Sequence, residues 1–177
     1  MKVCDFVVDY LAQKNVKHIF GIIGGACAFL VDAVYRRKDM EFICVQHEQA
    51  GAMAADAYAR FRGLAATMVT SGPGATNLIT GTCCSWFDSI PVINISGQVN
   101  FWESTSAPTC EKVRQVGFQE TNIVNMVRGI TKYAVLISKP EEIKYHLDKA
   151  IHLATSGRPG PVWLDIPMDV QRAEVDP

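Results

Sequence analysis

The sequence lacks the features that direct a protein into a membrane or onto nucleic acid. No apolar run approaches the ~20 residues that cross a bilayer. Asp5 and Asp9 interrupt the apolar residues near the amino terminus, whereas the apolar region of a signal peptide is continuous. The net charge is only −1, with acidic and basic residues mixed along the chain, so no basic surface is indicated. We therefore predict a cytoplasmic protein with neither a membrane nor a nucleic-acid partner.

Cysteine pairs at metal-binding spacing are also absent. None of the six cysteines forms a Cys-x-x-Cys pair, so the sequence predicts no zinc site. In a reducing compartment we expect free thiols, most of them small core residues in apolar stretches. A redox role for the adjacent Cys83 and Cys84 stays open as the less favoured alternative, because buried cysteine is common.

Short apolar runs alternate with helical patterns along the whole chain. The runs are continuous, which is typical of parallel strands covered on both faces, and helices between them give right-handed crossovers. We therefore predict an α/β fold: a three-layer, doubly wound domain over residues 1–168 with a mainly parallel sheet of about six strands. An irregular stretch is expected over 97–117, and the polar segment 169–177 is expected to begin an interdomain linker. The predicted strands are 18–23, 42–45, 65–70, 91–96, 131–137 and 161–166, and the predicted helices are 3–14, 26–37, 47–62, 75–87, 122–128 and 140–155.

Loops at the carboxyl ends of strands bind ligands in such sheets, and these loops carry the candidate residues. Gly24-Gly25 follows the first strand, where glycines let the backbone come close to a ligand. A plain tight turn is the favoured alternative there, and the pair is not a nucleotide fingerprint. Glu48 opens an Ala-rich helix after the second strand. It either complements the helix macrodipole, worth ~0.3–1 kcal/mol, or is a ligand-binding carboxylate that shares a proton; the residues leave both open.

A third loop, Ser71-Gly72-Pro73-Gly74, follows the next strand. It has the glycines of a phosphate loop but lacks the lysine of a Walker motif. Two glycines around a proline predict a rigid shelf before a helix. Asn77, one turn into that helix, is expected to point back toward the shelf.

Taken in order along the chain, these motifs resemble those of the N-terminal, pyrimidine-binding domain of thiamine-diphosphate enzymes of the acetolactate synthase type. The resemblance covers nearly the whole chain, and the motifs are specific in combination. They are Gly24-Gly25-Ala26, His47-Glu48-Gln49, Thr70-Ser71-Gly72-Pro73-Gly74-Ala75-Thr76-Asn77, Asp88-Ser89-Ile90-Pro91, Gly97-Gln98-Val99, Phe118-Gln119-Glu120, Ile130-Thr131-Lys132 and Gly157-Arg158-Pro159-Gly160-Pro161-Val162.

The resemblance implies a role for each candidate residue. The family residue matching Glu48 hydrogen-bonds to N1′ of the aminopyrimidine ring, and the one matching Gly25 brings backbone near the reacting centre. Phe118 and Gln119 match a pair near the substrate, although the residues alone indicate a core aromatic and a surface amide. The implied cofactor-binding residues are Ile23, Gly24, Gly25, Glu48, Thr70, Pro73 and Asn77. The implied catalytic residues are Glu48, Gly25, Gln119 and Phe118, and no metal ligand is implied in this chain.

Two departures from the family pattern concern the first loop and the substrate. Ile23 stands where the family usually has proline, which leaves the first loop less rigid. The stretch 98–118 is longer than in the biosynthetic enzyme, and it borders the active site. The donor and acceptor substrates are therefore left open.

The implied activity belongs to a larger enzyme. Thiamine diphosphate acts as electron sink while a 2-keto acid is decarboxylated and its carbanion is ligated to a second carbonyl; a simple decarboxylase or an acyl-CoA lyase is the alternative. The family's Gly-Asp-Gly motif, which binds Mg²⁺ and the diphosphate, is absent here, as is the middle domain that binds FAD in some members. We expect part of a homodimeric or tetrameric enzyme with its active site at the subunit interface, or a separately encoded subunit that is inactive alone. Small residues in the helices near Glu48 and Ala75 predict the dimer contact.

Overall fold

A sheet of six parallel strands lies at the centre of the molecule, in a computed structural model that describes residues 1–110 and 113–176. The strands are β1 (His18–Gly21), β2 (Glu41–Cys44), β3 (Ala65–Val69), β4 (Val92–Gln98), β5 (Tyr133–Leu136) and β6 (Val162–Pro167). From one edge of the sheet to the other, the strand order is β2-β1-β3-β4-β6-β5, and every pairing is parallel.

Helices cover both faces of this sheet. They are α1 (Val3–Gln13), α2 (Ala28–Tyr35), α3 (Glu48–Arg62), α4 (Pro73–Asn77), α5 (Ile79–Asp88), α6 (Ile123–Val127), α7 (Ile143–Thr155) and α8 (Met168–Arg172). One face packs against α1, α2 and α7, and the other packs against α3, α4 and α6. The prediction of a three-layer, doubly wound α/β domain is confirmed.

The central strands β3, β4 and β6 are buried along their whole length, which explains their continuous apolar sequences. The polar side chains among them are paired. Thr67 Oγ1 donates to Asn94 Oδ1 at 2.8 Å, and Asn94 Nδ2 donates to the Val162 carbonyl at 3.3 Å. Trp163 is fully buried and donates through Nε1 to Ser96 Oγ at 2.9 Å. These pairings avoid the free-energy cost of an unpaired polar group in the core.

Several predicted boundaries differ in the structure; the strand predicted over 18–23, for example, ends at Gly21. The helix predicted over 75–87 begins at Pro73 and is interrupted at Leu78, so that α4 and α5 are separate. Pro73 takes the first position of α4, where a helix needs no backbone N–H. The irregular stretch predicted from residue 97 begins only after Gln98, because β4 runs to that residue. Parts of the predicted irregular stretch and linker, Glu111, Lys112 and Pro177, lie outside the described residues.

Most cysteines are not core residues, so that prediction was wrong. Cys4 and Cys27 are buried, and the other four are partly or fully exposed. Cys44 ends the edge strand β2, and Cys84 lies on the outer face of α5. Apolar neighbours in sequence therefore do not ensure burial at a sheet edge or on the outer face of a helix.

The segment after β6 packs onto the domain. Gln171 of α8 is fully buried, and its Nε2 donates to the carbonyls of Ala26 and Ile166 at 2.7 Å each. Beyond α8, Met1 and Val175 exchange backbone hydrogen bonds of 2.8 and 2.9 Å. The packed region therefore reaches past residue 168, where the sequence places the start of a linker, because polar groups of this segment are hydrogen-bond donors to the domain.

Asp165 is a buried carboxyl group in β6. It accepts hydrogen bonds from Ser96 Oγ at 2.5 Å and from Gln98 Nε2 at 3.1 Å. Burial raises the pKa of Asp165 from its ordinary 3.8 to about 7, and the two hydrogen bonds offset only part of that rise. The folded chain therefore binds this proton more tightly than the unfolded chain. The free energy of unfolding falls as the pH rises from about 4 to about 7.

Replacing Asp165 with asparagine is expected to remove this pH dependence. Between pH 5 and pH 8 the unchanged chain should lose roughly 2–3 kcal/mol of stability through Asp165, and the D165N chain should not. His146, whose pKa is lowered by burial, titrates in both proteins and cancels in the comparison. Urea unfolding at the two pH values measures the difference, with the exposed Asp176→Asn as the control. An equal loss in D165N would show that Asp165 is already ionised at pH 5.

Candidate functional site

The chain changes its direction of travel across the sheet between β1 and β3. From β1 it continues to β2 on one side, and from β3 it continues to β4 on the other. The helices that follow pack on opposite faces, α2 on one and α4 on the other. The two loops therefore diverge and open a crevice at the carboxyl ends of the strands, where open α/β sheets bind ligands. Both predicted glycine loops, 24–25 and 71–74, lie there.

Glu48 is the first residue of α3 and lies on the same edge of the sheet. It is 8% exposed, and its Oε2 accepts a hydrogen bond from Asn77 Nδ2 at 2.9 Å. No other described group donates a hydrogen bond to this carboxylate. The helix cap is His47, whose side chain accepts from the backbone N–H of Gln49 at 3.2 Å. Asn77 therefore orients Glu48, and Oε1 is left for a ligand.

Thr70 packs between the two glycine loops. A Cβ built on Gly24 would lie 2.6 Å from Thr70 Cβ, and one built on Gly74 would lie 2.7 Å from Thr70 Cγ2. Its Oγ1 also accepts a hydrogen bond from the backbone N–H of Ala26 at 3.2 Å. Thr70 thus joins the loops that the sequence analysis assigned to cofactor binding, and the glycines make that close approach possible.

The rim of the crevice is open at Gly25. A Cβ built on this residue would meet nothing within 4 Å. Ile23, 48% exposed, and Pro73 are also at the surface. The structure therefore places the predicted residues of the first and third loops in two groups: Gly24 and Thr70 form the support, and Gly25, Ile23 and Pro73 present an accessible surface.

Phe118 and Gln119 come to this edge from the segment after β4. Phe118 is 83% exposed, so the core position that its residue type indicates is wrong. Gln119 is exposed and has a left-handed backbone, with φ of 55°. Its carbonyl oxygen would lie 2.5 Å from a Cβ built on Gly72, whose own φ is 58°. The backbone of Gln119 therefore rests against the 71–74 shelf, and glycine at position 72 permits that contact.

Two glutamines that hold these loops, Gln98 and Gln171, have no role predicted from the sequence. Gln98 Nε2 donates to the Thr121 carbonyl at 3.0 Å and so closes the base of the segment between them. Gln171 holds the carbonyl of Ala26, next to the first glycine loop. The partners are 23 and 145 positions apart in sequence, so no local pattern reveals them. The Gly97-Gln98-Val99 motif was the one available signal, and it pointed to Gln98 alone.

In the described ranges, no three His, Cys, Asp or Glu side chains come together as a metal-binding group. No helix among the same residues is long and apolar enough to span a bilayer. The candidate site therefore consists of the carboxylate, amide, hydroxyl and glycine backbone groups described above.

Comparison with known proteins decides the family. Residues 1–126, more than half of the chain, match the family described as thiamine pyrophosphate enzyme, N-terminal TPP binding domain. The chain belongs to this family. The family's cofactor is thiamine diphosphate, and the matched region contains every candidate residue from Ile23 to Gln119.

Relatives similar to this thiamine pyrophosphate enzyme domain are named as acetolactate synthases. The probable acetolactate synthase large subunit of Methanocaldococcus jannaschii is 44% identical over 177 residues, which is 99% of this chain and 28% of the relative. Acetolactate synthase isozyme 3 large subunit of Escherichia coli is 41% identical over 94% of this chain and 28% of the relative. The chloroplastic acetolactate synthase of Arabidopsis thaliana is 39% identical over 97% of this chain and 24% of the relative. The chain thus spans between 24% and 28% of the length of these relatives.

Proposed function

We propose that this chain supplies the aminopyrimidine half of a thiamine diphosphate site in a carboligase of the acetolactate synthase kind. Such an enzyme decarboxylates a 2-keto acid and ligates the carbanion to a second carbonyl. The observation that carries the proposal is Glu48: a buried carboxylate with Oε2 held by Asn77 and Oε1 free. A carboxylate in that state is suited to share a proton with a ring nitrogen of a ligand. The names of the relatives support the choice of reaction.

The residues of this chain bind and orient the cofactor ring and control one proton. Thiamine diphosphate, when bound, supplies the electron sink for decarboxylation and the carbon nucleophile for ligation. Glu48 Oε1 holds the proton at N1′ of the aminopyrimidine, and Asn77 fixes the carboxylate in place. Removal of Glu48 from water strengthens this hydrogen bond. Gly25 leaves open the space that a side chain would fill.

Replacing Gly25 with alanine is expected to separate folding from cofactor binding. The stability of the chain should stay within about 0.5 kcal/mol of its original value, because a methyl group there displaces nothing. Affinity for thiamine diphosphate in the complete enzyme should fall by about tenfold or more, because the methyl group takes up space needed by the ring. Thermal unfolding of the chain and cofactor titration of the enzyme measure the two effects. Unchanged cofactor affinity would remove Gly25 from the site.

The other half of the site is proposed to lie outside this chain. Mg²⁺ and the diphosphate are proposed to bind a domain with the Gly-Asp-Gly motif, and FAD is proposed to bind a middle domain of the complete enzyme. The lengths of the relatives, of which this chain spans 24% to 28%, support additional domains. The substrate is proposed to be a 2-keto acid, held between the two halves.

Exposed apolar side chains support a subunit interface on the layer of α3 and α5. Met53 is 44% exposed, Phe61 89% and Phe87 68%, and large exposed apolar groups mark interaction surfaces. The small residues of these helices pack α3 against α5 within one chain, since a Cβ built on Gly81 would lie 2.3 Å from Ala52 Cβ. We propose a homodimer or tetramer with its active site at the subunit interface. Sedimentation that shows only monomer at every concentration would contradict a dimer of this domain.

Acetolactate formation tests the proposed function. With thiamine diphosphate, Mg²⁺ and pyruvate, the complete enzyme is expected to form acetolactate and carbon dioxide. Release of the aldehyde without ligation would show that the enzyme is a simple decarboxylase and not a carboligase. A requirement for coenzyme A would indicate an acyl-CoA lyase. Turnover of a different 2-keto acid would change the donor and leave the role of Glu48 standing.

A further inference from the structure

Glu120 is a single carboxylate that joins two separate stretches of the segment after β4. On one side, the backbone N–H and the Oγ1 of Thr105 both donate to Oε1, each at 2.5 Å. On the other side, the backbone N–H groups of Val116 and Gly117 donate to Oε2 at 3.1 and 3.2 Å. The carboxylate therefore accepts four hydrogen bonds and ties residue 105 to residues 116 and 117.

The charge of Glu120 strengthens these hydrogen bonds. Partial burial by itself would raise its pKa, but the hydrogen bonds from Thr105, Val116 and Gly117 outweigh burial and hold the pKa below its ordinary 4.5. Glu120 is therefore ionised at neutral pH. Hydrogen bonds to an ionised acceptor are roughly twice as strong as those between neutral groups.

Glu120 also closes the turn that presents Phe118 and Gln119. Its backbone N–H donates to the Gly117 carbonyl at 3.2 Å, so Phe118 and Gln119 are the two central residues of a four-residue turn. Gln119 has φ of 55°, a left-handed conformation that costs free energy in any residue with a Cβ. Such a conformation persists only where surrounding contacts enforce it.

The start of this turn is held from a second direction. Gly117 is buried, and a Cβ built on it would lie 2.7 Å from Val99 Cγ2 and 2.9 Å from the Glu103 carbonyl oxygen. The end of the turn meets the 71–74 shelf, where the carbonyl of Gln119 rests against Gly72. A shift of the turn would therefore move Phe118 and Gln119 relative to the site of Glu48 and Asn77.

We infer that Glu120 is a positioning residue for the second, ligating substrate. It fixes the 117–120 turn, in which Gln119 has a left-handed backbone, and so holds Phe118 and Gln119 at the 71–74 shelf. The inference rests on the proposed carboligase function. It adds that the two carboxylates have different roles. Glu48 holds the proton of the cofactor ring, and Glu120, through the turn, sets the position of the acceptor carbonyl.

The base of the segment does not depend on Glu120. Gln98 donates to the Thr121 carbonyl and to Asp165 Oδ2, and its own Oε1 accepts from the Val99 N–H at 3.1 Å. Loss of the Glu120 hydrogen bonds should therefore release the turn while β4, β6 and the crevice stay folded. This separation makes the inference testable by substitution.

The test compares Glu120→Gln with Glu103→Gln in the complete enzyme. Glutamine has almost the same shape as glutamate but is neutral, and its amide group turns a donor toward one pair of N–H groups. Glu103 is the matched control because it lies in the same segment, and its side chain accepts a hydrogen bond from Asn100, which is three residues away. Pyruvate serves as donor and benzaldehyde as acceptor, because benzaldehyde has no carboxylate, so that carbon dioxide release reports the pyruvate donor alone.

With E120Q, we expect the KM for benzaldehyde to rise about 10- to 100-fold, as for a reacting group displaced by an ångström. The rate of pyruvate decarboxylation should stay within about twofold, since Glu48 is untouched. Amide hydrogen exchange at Val116 and Gly117 should become faster. E103Q should change none of these quantities.

Three results would overturn the inference. One is an unchanged KM for benzaldehyde despite faster exchange at Val116 and Gly117; another is unchanged exchange and unchanged KM. The third is an equal loss of decarboxylation and ligation, which would give Glu120 a merely structural role. Failure of the proposed function is distinguishable, because the unsubstituted enzyme then forms no ligation product with any acceptor, and the inference falls with it.

Discussion

Replacing Glu48 with glutamine is expected to lower the turnover of the complete enzyme by about 10²- to 10⁴-fold, the usual contribution of a positioned proton-transfer group. Glutamine keeps the shape of the side chain and can still contact Asn77. It cannot share a proton with N1′ in the way that a carboxylate does. The stability of the chain should change little, because Glu48 has only Asn77 as a hydrogen-bond partner among the described residues.

The sharpest measurement for Glu48→Gln is exchange of the C2 proton of the cofactor's thiazolium ring. We expect that exchange to slow by the same factor as turnover. Glu41→Gln is a suitable control, since Glu41 is an exposed carboxylate at the start of the edge strand β2, at the opposite end of the strands. Full activity of the E48Q enzyme would contradict the proposed role of Glu48. The remaining role would be that of a residue that complements the helix dipole.

Replacing Gly97 with alanine is expected to cause the largest loss of stability among the substitutions considered. A Cβ on Gly97 would lie 1.9 Å from the carbonyl oxygen of Ala26 and 2.7 Å from the backbone nitrogen of Cys27. These are backbone atoms, so the end of β4 or the first glycine loop must move. We expect a loss of about 3 kcal/mol or more, which lowers the melting temperature by roughly 6–12 °C for a chain of this size.

Thermal and urea unfolding of G97A measure this effect, and Gly129→Ala is the matched control. A Cβ on Gly129 would meet nothing within 4 Å, so its substitution should stay within about 0.5 kcal/mol. Ala26 also accepts from Gln171, so the displaced loop should weaken the docking of α8 as well. A G97A chain as stable as the G129A chain would mean that the loop next to Ala26 can relax without cost.

The architecture could be predicted because its signals are local. Continuous apolar runs at β3, β4 and β6 indicate strands buried on both faces, and the structure has them so. Strand order could not be predicted, because β3 lies between β1 and β4 through pairings that leave no trace in either strand alone. The same limit applied to Cys44, whose apolar neighbours did not reveal that it ends an edge strand.

The candidate site shows a similar division. Glu48 was recognisable as the opening residue of a helix after a strand, but its function stayed undecided until the order of motifs pointed to a family. That His47 is the cap depends on backbone angles and side-chain direction, which the sequence does not display. Phe118 was assigned to the core by its residue type, whereas its exposure follows from the hydrogen bonds of Glu120 to a residue 15 positions earlier. A long-range polar contact was the missing information for Phe118, and side-chain direction was the missing information for His47.

The backbone hydrogen bonds between Met1 and Val175 place these two residues side by side, with Lys2 and Glu174 in an antiparallel bridge. A short peptide between these two positions could therefore join this domain into a ring. The exposed glycines Gly63 and Gly157, each with positive φ, precede β3 and β6 at the edge of the sheet away from the crevice. Opening the ring at either glycine would yield a circularly permuted polypeptide with the same sheet and an undisturbed crevice.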